Sequence, residues 1–191
     1  WKIERRQPDA ERVQAAVELL KEAERPMIIA GGGVHYSDAQ EELETFSEKF
    51  GIPVGETFAG KSAIRNGSAL LLGGHGVTGA PPSGTIAAQA DLVICVGTRM
   101  SDFITGSNTL FQHPQVKFVQ INVCGHDAYK MGALPITADA REALRALSAA
   151  AEASGIQSNG NYLEEVTGVK RKWSERLQKE TYCAVPGEAM G

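Results

Sequence analysis

Short apolar runs alternate with longer amphipathic segments along this chain, and this alternation limits its fold more than any other feature. The runs Met27–Ala30 and Leu92–Val96 are apolar throughout, which is typical of strands buried on both faces of a sheet. The segments between such runs carry apolar residues at helical spacing. Strands that alternate with helices predict parallel pairing through crossover helices. The expected fold class is α/β, with a six-stranded parallel sheet and helices on both faces.

Capping residues predict where several helices begin and end. Asp9 and Asp139 are suited to cap the amino ends of helices, and Ser37 with Gln40 forms a capping box for another. Gly51 suits the left-handed position that closes this last helix. The Gly-rich passage 58–79 has no consistent period. Further strands are expected at Ile52–Thr57, Lys117–Val123 and, weakly, Leu134–Ile136.

Composition divides the chain into three parts. Residues 1–8 are polar and end in Pro8, which suggests a linker, and the α/β pattern then covers residues 9–153. Residues 154–191 begin with a Ser-, Gly- and Asn-rich stretch and continue into a charged helix, which suggests a second linking segment. Because the first residue is Trp1 rather than Met, we expect the chain to begin inside a longer protein or to have been processed.

Composition also excludes several classes of protein. No apolar run approaches the roughly 18 residues of a membrane span, so no membrane partner is expected. The net charge of −4 argues against nucleic-acid binding, which requires clustered Lys and Arg. Cys95, Cys124 and Cys183 are odd in number and far apart, a pattern typical of the reducing cytoplasm.

Two glycine motifs match phosphate-binding patterns only formally. Gly55–Ser62 fits the P-loop pattern, but Asn66-Gly67 would break the helix that must follow Ser62. Gly74–Gly79 fits the dinucleotide pattern, which belongs in the first strand–helix turn of a nucleotide-binding unit. A P-loop nucleotide hydrolase therefore stays a minority alternative.

A third group of residues follows the predicted strands directly. Gly31, Gly32 and Gly33 follow one strand, Gly97 and Arg99 follow a second, and Asn122 follows a third. Ligands of open α/β sheets bind at this edge, where glycines admit a ligand to the backbone and Arg99 could hold an anion. Ordinary loop chemistry explains the same residues equally well.

No catalytic or metal-binding set accompanies these residues. The four histidines never fall at ligand spacing, and Cys124-x-His126 lacks the second half of a zinc site. No Ser lies in a nucleophile-elbow motif. The sequence therefore predicts neither catalytic residues nor metal ligands.

A resemblance to a known family covers nearly all of residues 9–150. The chain resembles the central domain of thiamine-diphosphate-dependent enzymes of the acetolactate synthase type, and Gly60-Lys61 belongs to a loop that recurs in them. The matching segments, in order, are Arg25–Val34, Ile52–Val54, Glu56–Ala63, Gly74–Gly79 and Ala90–Arg99.

The resemblance implies a Rossmann-like domain from the middle of a three-domain, oligomeric enzyme. In this family the first domain carries the Glu that activates the cofactor, and the third carries a Gly-Asp-Gly motif for magnesium and the diphosphate. This sequence has no Gly-Asp-Gly. Thiamine diphosphate and Mg²⁺ are thus expected in the full-length enzyme only, with the amino- and carboxyl-terminal domains as partners. These residues alone are expected to be inactive.

Three further segments resemble one branch of the family, whose members hydrolyse a carbon–carbon bond of a cyclic dione in inositol catabolism. An acetolactate synthase-like carboligase and a stand-alone nucleotide-binding or structural module are the alternatives. The family also implies an ADP-type groove in the central domain, here for NAD or an FAD-like nucleotide at the six strand-end residues. The three segments are Ser101–Ser107, Lys117–Val123 and Gly132–Pro135.

Overall fold

Six parallel strands form the centre of the protein in a computed structural model that describes residues 4–181. Trp1 and the tail that contains Cys183 lie outside this range. The strands are β1 (Pro26–Ala30), β2 (Val54–Glu56), β3 (Leu71–Gly74), β4 (Leu92–Val96), β5 (Lys117–Ile121) and β6 (Leu134–Ile136). The helices are α1 (Ala10–Glu22), α2 (Gly33–Tyr36), α3 (Gln40–Phe50), α4 (Pro81–Gln89), α5 (Asp102–Thr105), α6 (Gly125–Ala128), α7 (Ala140–Ala153) and α8 (Gly160–Glu180).

The sheet has the strand order β3-β2-β1-β4-β5-β6, and every neighbouring pair is parallel. Along the chain, β2 and β3 are added on one side of β1. The strands β4, β5 and β6 are then added in turn on its other side. The strand order therefore reverses between β1 and β4, which pair from Pro26↔Leu92 to Ala30↔Val96. This arrangement confirms the predicted fold class.

Alternate residues of the central strands enter two separate cores. Ile28 and Ala30 of β1 pack beneath α1, α3 and α7, whereas Met27 and Ile29 pack beneath α4 and α8. All five residues of β1 are buried, because helices cover the sheet on both sides. This explains why the strand reads as one unbroken apolar run.

Several helix ends form as the sequence predicts. The Asp9 carboxylate accepts hydrogen bonds from the amides of Glu11 and Arg12, and Asp139 caps α7 in the same way. Gly51 ends α3 with a left-handed φ of 66°. Among residues 4–181, none of the helices combines the length and apolar character needed to cross a bilayer.

The predicted capping box at Ser37 and Gln40 is wrong. The chain enters α2 directly after β1, and Ser37 ends that short helix. Its hydroxyl accepts a hydrogen bond of 3.2 Å from the amide of Ala140, at the start of α7. Helix α3 then begins after Ala39 without a side-chain cap. A tertiary contact 103 residues away has taken the hydroxyl that the local pattern assigned to capping.

Two predicted strands are shorter than expected. The segment predicted at Ile52–Thr57 is a strand only over Val54–Glu56, and the one predicted to reach Val123 ends at Ile121. The amide and carbonyl of Asn122 bond instead to residues around the end of β6. β5 therefore ends where Asn122 begins to bond near the end of β6, whereas β2 is shortened mainly at its start.

Candidate functional site

A cavity of about 700 Å³ lies at the carboxyl edge of the sheet. Its centre is at the reversal between β1 and β4, where open α/β sheets bind ligands. Of the six predicted residues, Gly32, Gly33, Gly97, Arg99 and Asn122 line it. Gly31 does not belong to its wall. The prediction of a site at the strand ends thus brings five of its six residues to one cavity.

The glycines let two loops pack closely at the cavity floor. Gly97 has a φ of +62°, and a Cβ added there would lie 2.5 Å from the Cα of Gly33. A Cβ on Gly31 would lie 2.7 Å from the Cβ of Thr98, which places Gly31 beneath the floor. The Gly33 amide donates to the Gly97 carbonyl at 3.0 Å. These glycines therefore serve loop packing, and Gly32, Gly33 and Gly97 also leave backbone open to the cavity.

Asn122 joins the ends of three strands. Its Nδ2 donates to the Thr98 carbonyl at 3.1 Å, and its Oδ1 accepts from the amide of Cys124 at 2.9 Å. Gln120, two residues earlier in β5, also donates to the Thr98 carbonyl. The Asn122 side chain is buried and hydrogen-bonded on both sides, so it fixes the loop after β4 and offers little to a ligand.

Arg99 is the cation of the cavity. Its side chain is exposed, and within residues 4–181 it forms no ion pair. Met100, the next residue, holds a left-handed φ of 46°, an uncommon conformation for a residue with a side chain. Asp127 lies nearby, and its pKa is lowered chiefly by a hydrogen bond from Lys130, with a smaller contribution from Arg99. Arg99 is thus available to an anion in the cavity.

Sequence reasoning missed the apolar rim of the cavity. Tyr36, Phe58 and Val123 line the cavity with 84%, 90% and 64% of their surface exposed. Phe58 belongs to a single 3-10 turn, Phe58–Gly60, which Thr57 caps. Exposed aromatic rings beside a cavity suit a planar ring system. Tyr36 follows β1 and its glycines, and Phe58 follows β2. An aromatic residue soon after a strand was the sequence signal for this part of the rim.

The region of the formal P-loop holds no phosphate site. Ser62 has a φ of 69°, and the next helix after it among the described residues begins only at Pro81. The Lys61 ammonium lies 3.3 Å from the buried carboxylate of Glu56, and the Gly60 amide donates to Thr57. The P-loop alternative is therefore wrong, because this geometry lacks the helix amino end that the pattern requires.

The Gly74–Gly79 motif forms a tight turn that holds a buried histidine. His75 Nδ1 lies 2.8 Å from the Ser83 hydroxyl, and within residues 4–181 Nε2 has no hydrogen-bond partner. Burial lowers the pKa of His75 to about 4, although the Ile104 carbonyl acts weakly in the opposite direction. The turn lies outside the cavity wall. Its glycines serve close backbone contact, since a Cβ on Gly79 would meet the Gly76 carbonyl at 2.9 Å.

Potential metal ligands are scattered among the described residues. Throughout the described range, no three His, Cys, Asp or Glu side chains converge as a metal site. Mg²⁺ that binds a cofactor phosphate generally needs carboxylate ligands as well. Within residues 4–181, the side chains thus provide no converging set of three ligands for Mg²⁺.

The fold and cavity define a doubly wound α/β domain with a ligand-sized cavity at its reversal point. Residues 13–147 match the family model described as "Thiamine pyrophosphate enzyme, central domain". The chain belongs to this family.

Curated relatives share one name. Over 178 residues, or 93% of this chain, it is 47% identical to 3D-(3,5/4)-trihydroxycyclohexane-1,2-dione hydrolase 2 of Bacillus cereus. It is 46% identical over the same share to the hydrolase of that name from Clostridium tetani, and 45% identical to that from Bacillus thuringiensis. The chain spans 27% of the length of each of these relatives.

Proposed function

We propose that this chain is the central domain of an enzyme that hydrolyses a carbon–carbon bond of 3D-(3,5/4)-trihydroxycyclohexane-1,2-dione in inositol catabolism. The observation that carries the proposal is the 47% identity to a relative of that name over 93% of the chain. The similarity covers 178 residues and so extends beyond the family match at residues 13–147.

Within such an enzyme, the reaction would be catalysed outside these residues. Thiamine diphosphate acts as an electron sink in its enzymes, and no three potential metal ligands converge among the described residues. We therefore assign the cofactor, Mg²⁺ and the reacting groups to domains before and after this one. In this arrangement residues 1–8 and 154–191 connect the three domains.

The same proposal places the parent enzyme in the cytoplasm as a homo-oligomer. Cys95 is buried and Cys124 exposed, and both are free thiols, which is consistent with a reducing compartment. Burial raises the pKa of the Cys95 thiol, so it behaves as a small apolar side chain rather than a reactive group.

We also propose that the cavity binds an adenine nucleotide. Its open backbone at Gly32, Gly33 and Gly97 permits close approach of a ligand, and Arg99 provides a positive charge for a diphosphate. The rim residues Tyr36 and Phe58 provide aromatic surfaces for a base. A volume of about 700 Å³ falls within the range of sites for cofactor-sized ligands.

Ligand-induced stabilisation tests the nucleotide proposal. ADP, NAD and FAD are added separately to the purified chain, and Tm is measured by thermal shift. A ligand at one hundred times its Kd should raise the free energy of unfolding by about 2.7 kcal/mol. Arg99→Ala should abolish most of that shift, whereas Arg171→Ala, at an exposed position on α8, should retain it. No shift at millimolar concentrations of all three would refute the nucleotide site.

The parent activity is tested on the full-length protein that contains these residues. We expect that protein, with thiamine diphosphate and Mg²⁺, to open the cyclic dione, and its turnover can be followed by product chromatography. Formation of acetolactate from pyruvate with no hydrolysis of the dione would favour the carboligase alternative and overturn the proposal.

A further inference from the structure

The segment from Glu4 to Pro8, here called the strap, lies along one side of the cavity. Glu4 lines the cavity, and three consecutive residues after it contact the domain. Arg5 forms two ion pairs, the Arg6 carbonyl accepts from the Asp139 amide at 2.9 Å, and Gln7 donates to Glu142 at 3.1 Å. These bonds hold the strap against the amino end of α7.

Arg5 connects two separate parts of the cavity wall. Its Nη1 donates to Asp139 Oδ2 at 3.0 Å, and its Nη2 donates to Asp38 Oδ2 at 2.7 Å. Asp139 itself lines the cavity at the start of α7, and Asp38 lies just after Tyr36 and Ser37, which also line it. One guanidinium therefore spans from the turn after α2 to the first turn of α7.

The contact between Arg5 and Asp139 is part-buried. The Asp139 side chain is 6% exposed and that of Arg5 is 18% exposed. The second carboxylate oxygen, Oδ1, accepts from the amides of Arg141 and Glu142 and so caps α7. The carboxylate thus fixes the helix and the strap at once. Movement of Arg5 would leave a buried carboxylate without its cation, a costly state.

We propose that Arg5 is a positioning residue that holds the strap, and with it the Glu4 carboxylate, against the cavity. There Glu4 can accept hydrogen bonds from the ribose hydroxyls of a nucleotide, so that strap docking and ligand binding favour each other. The inference rests on the proposed nucleotide site. Because coupling between two equilibria is reciprocal, a ligand that fills the cavity should also tighten the strap. Polypeptide joined to residue 4 would then sense whether the cavity is filled.

Three variants separate Arg5 from its neighbours. Arg5→Ala removes both ion pairs. Arg5→Lys keeps the positive charge but lacks the planar guanidinium that contacts two carboxylates at once. Arg6→Ala is the matched control, since the Arg6 side chain is exposed and its contact to Asp139 is made by its backbone carbonyl. The first readout is hydrogen exchange at the Asp139 amide without ligand. The second is the Kd of ADP by calorimetry.

We expect exchange at the Asp139 amide to be faster in Arg5→Ala and unchanged in Arg6→Ala. If the strap is docked in only a tenth of the variant molecules, the Kd of ADP should rise about tenfold, with Arg5→Lys in between. ADP should slow this exchange in the unmodified chain. Unchanged exchange in Arg5→Ala would overturn the inference, as would faster exchange with an unchanged Kd.

The two proposals fail in different ways. If ADP, NAD and FAD all fail to bind the unmodified chain, the nucleotide site is refuted together with its coupling to the strap. The exchange measurement without ligand still decides whether Arg5 holds the strap, because it needs no nucleotide.

Discussion

At the scale of single residues, the same atoms serve both the fold and the cavity. Gly97 adopts a left-handed conformation and contacts Gly33 across the reversal between β1 and β4. A side chain at either position would separate the two loops that form the cavity floor. The sequence predicted that these glycines lie at a ligand-binding edge, and it could equally be explained by loop packing. The geometry shows the loop packing directly, since the two glycines pack against one another. Both also line the cavity, where ligand binding stays a prediction.

Gly97→Ala should destabilise the protein strongly. The new Cβ would lie 2.5 Å from the Gly33 Cα at a φ of +62°, so both strain and overpacking oppose it. We expect a loss of about 2–4 kcal/mol in the free energy of unfolding, measured with urea. Gly84→Ala is the control, because a Cβ there meets nothing within 4 Å and Gly84 lies inside α4. Equal stability of the two variants would contradict this account.

His75 should make stability depend on pH in the acidic range. Burial lowers its pKa to about 4, below its ordinary value of about 6.5. As the pH falls through this window, the unfolded chain takes up a proton that the native protein does not, so stability falls. Between pH 7.5 and 4.5 the unmodified chain should lose about 2–3 kcal/mol more than His75→Gln.

Urea unfolding at both pH values measures this difference. His126→Gln is the control, since His126 is exposed, and it should follow the unmodified chain. An identical pH dependence for the unmodified chain and His75→Gln would show that His75 is not held neutral by burial.

At the scale of elements, the sequence predicted the strands and helices that are stabilised by local features such as apolar runs and helix caps. β1 and β4 were recognisable because burial on both faces leaves only apolar residues, and α1 and α7 because their caps are Asp residues followed by free amides. Ser37 misled because its hydroxyl bonds to Ala140, a contact that no sequence window contains. The strand β3 was hidden in its Gly-rich surroundings, since two of its four residues are glycine.

The packing of helix α8 also depends on contacts that are distant in sequence. Its sequence predicts a charged helix, but not that it packs on the second face of the domain. Tyr162 and Val166 are buried there, and the Tyr162 hydroxyl donates to the Pro26 carbonyl at 3.1 Å. Lys170 donates to the carbonyls of Ser68 and Ala69, and its burial lowers its pKa. The helix is thus tied to both β1 and the loop before β3.

Tyr162→Phe should loosen α8 without unfolding the domain. Burial raises the pKa of the Tyr162 hydroxyl, so it remains a donor, and its removal leaves the Pro26 carbonyl short of one partner. We expect a loss of about 1–2 kcal/mol in the free energy of unfolding and faster amide exchange in α8. Thr167→Ala, on the exposed side of the same helix, should change stability by less than about 0.5 kcal/mol. Similar losses in both variants would argue against the contribution of this buried bond.

At the scale of the whole molecule, the sheet order decides where the cavity lies, and distant segments decide its shape. Strand ends can be predicted from sequence, so Gly97, Arg99 and Asn122 were placed at the edge where the cavity lies, and their binding of a ligand stays a prediction. The strap residue Glu4 was not assigned to the site, because the bonds of Arg5 and Arg6 to Asp139 hold the strap beside the cavity. Such contacts join residues more than 130 positions apart.

The proposal places the nucleotide cavity in this domain and the thiamine diphosphate in other domains, and this division can be tested by calorimetry. If the cofactor is bound by other domains, calorimetric titration of this chain with thiamine diphosphate and MgCl₂ should give no saturable heat, whereas ADP should give a binding isotherm. The physical reason is the donor set: Arg99 and open backbone amides suit a nucleotide diphosphate, while the described residues present no converging ligands for Mg²⁺. Saturable, magnesium-dependent binding of thiamine diphosphate would show that this domain carries a cofactor site of its own.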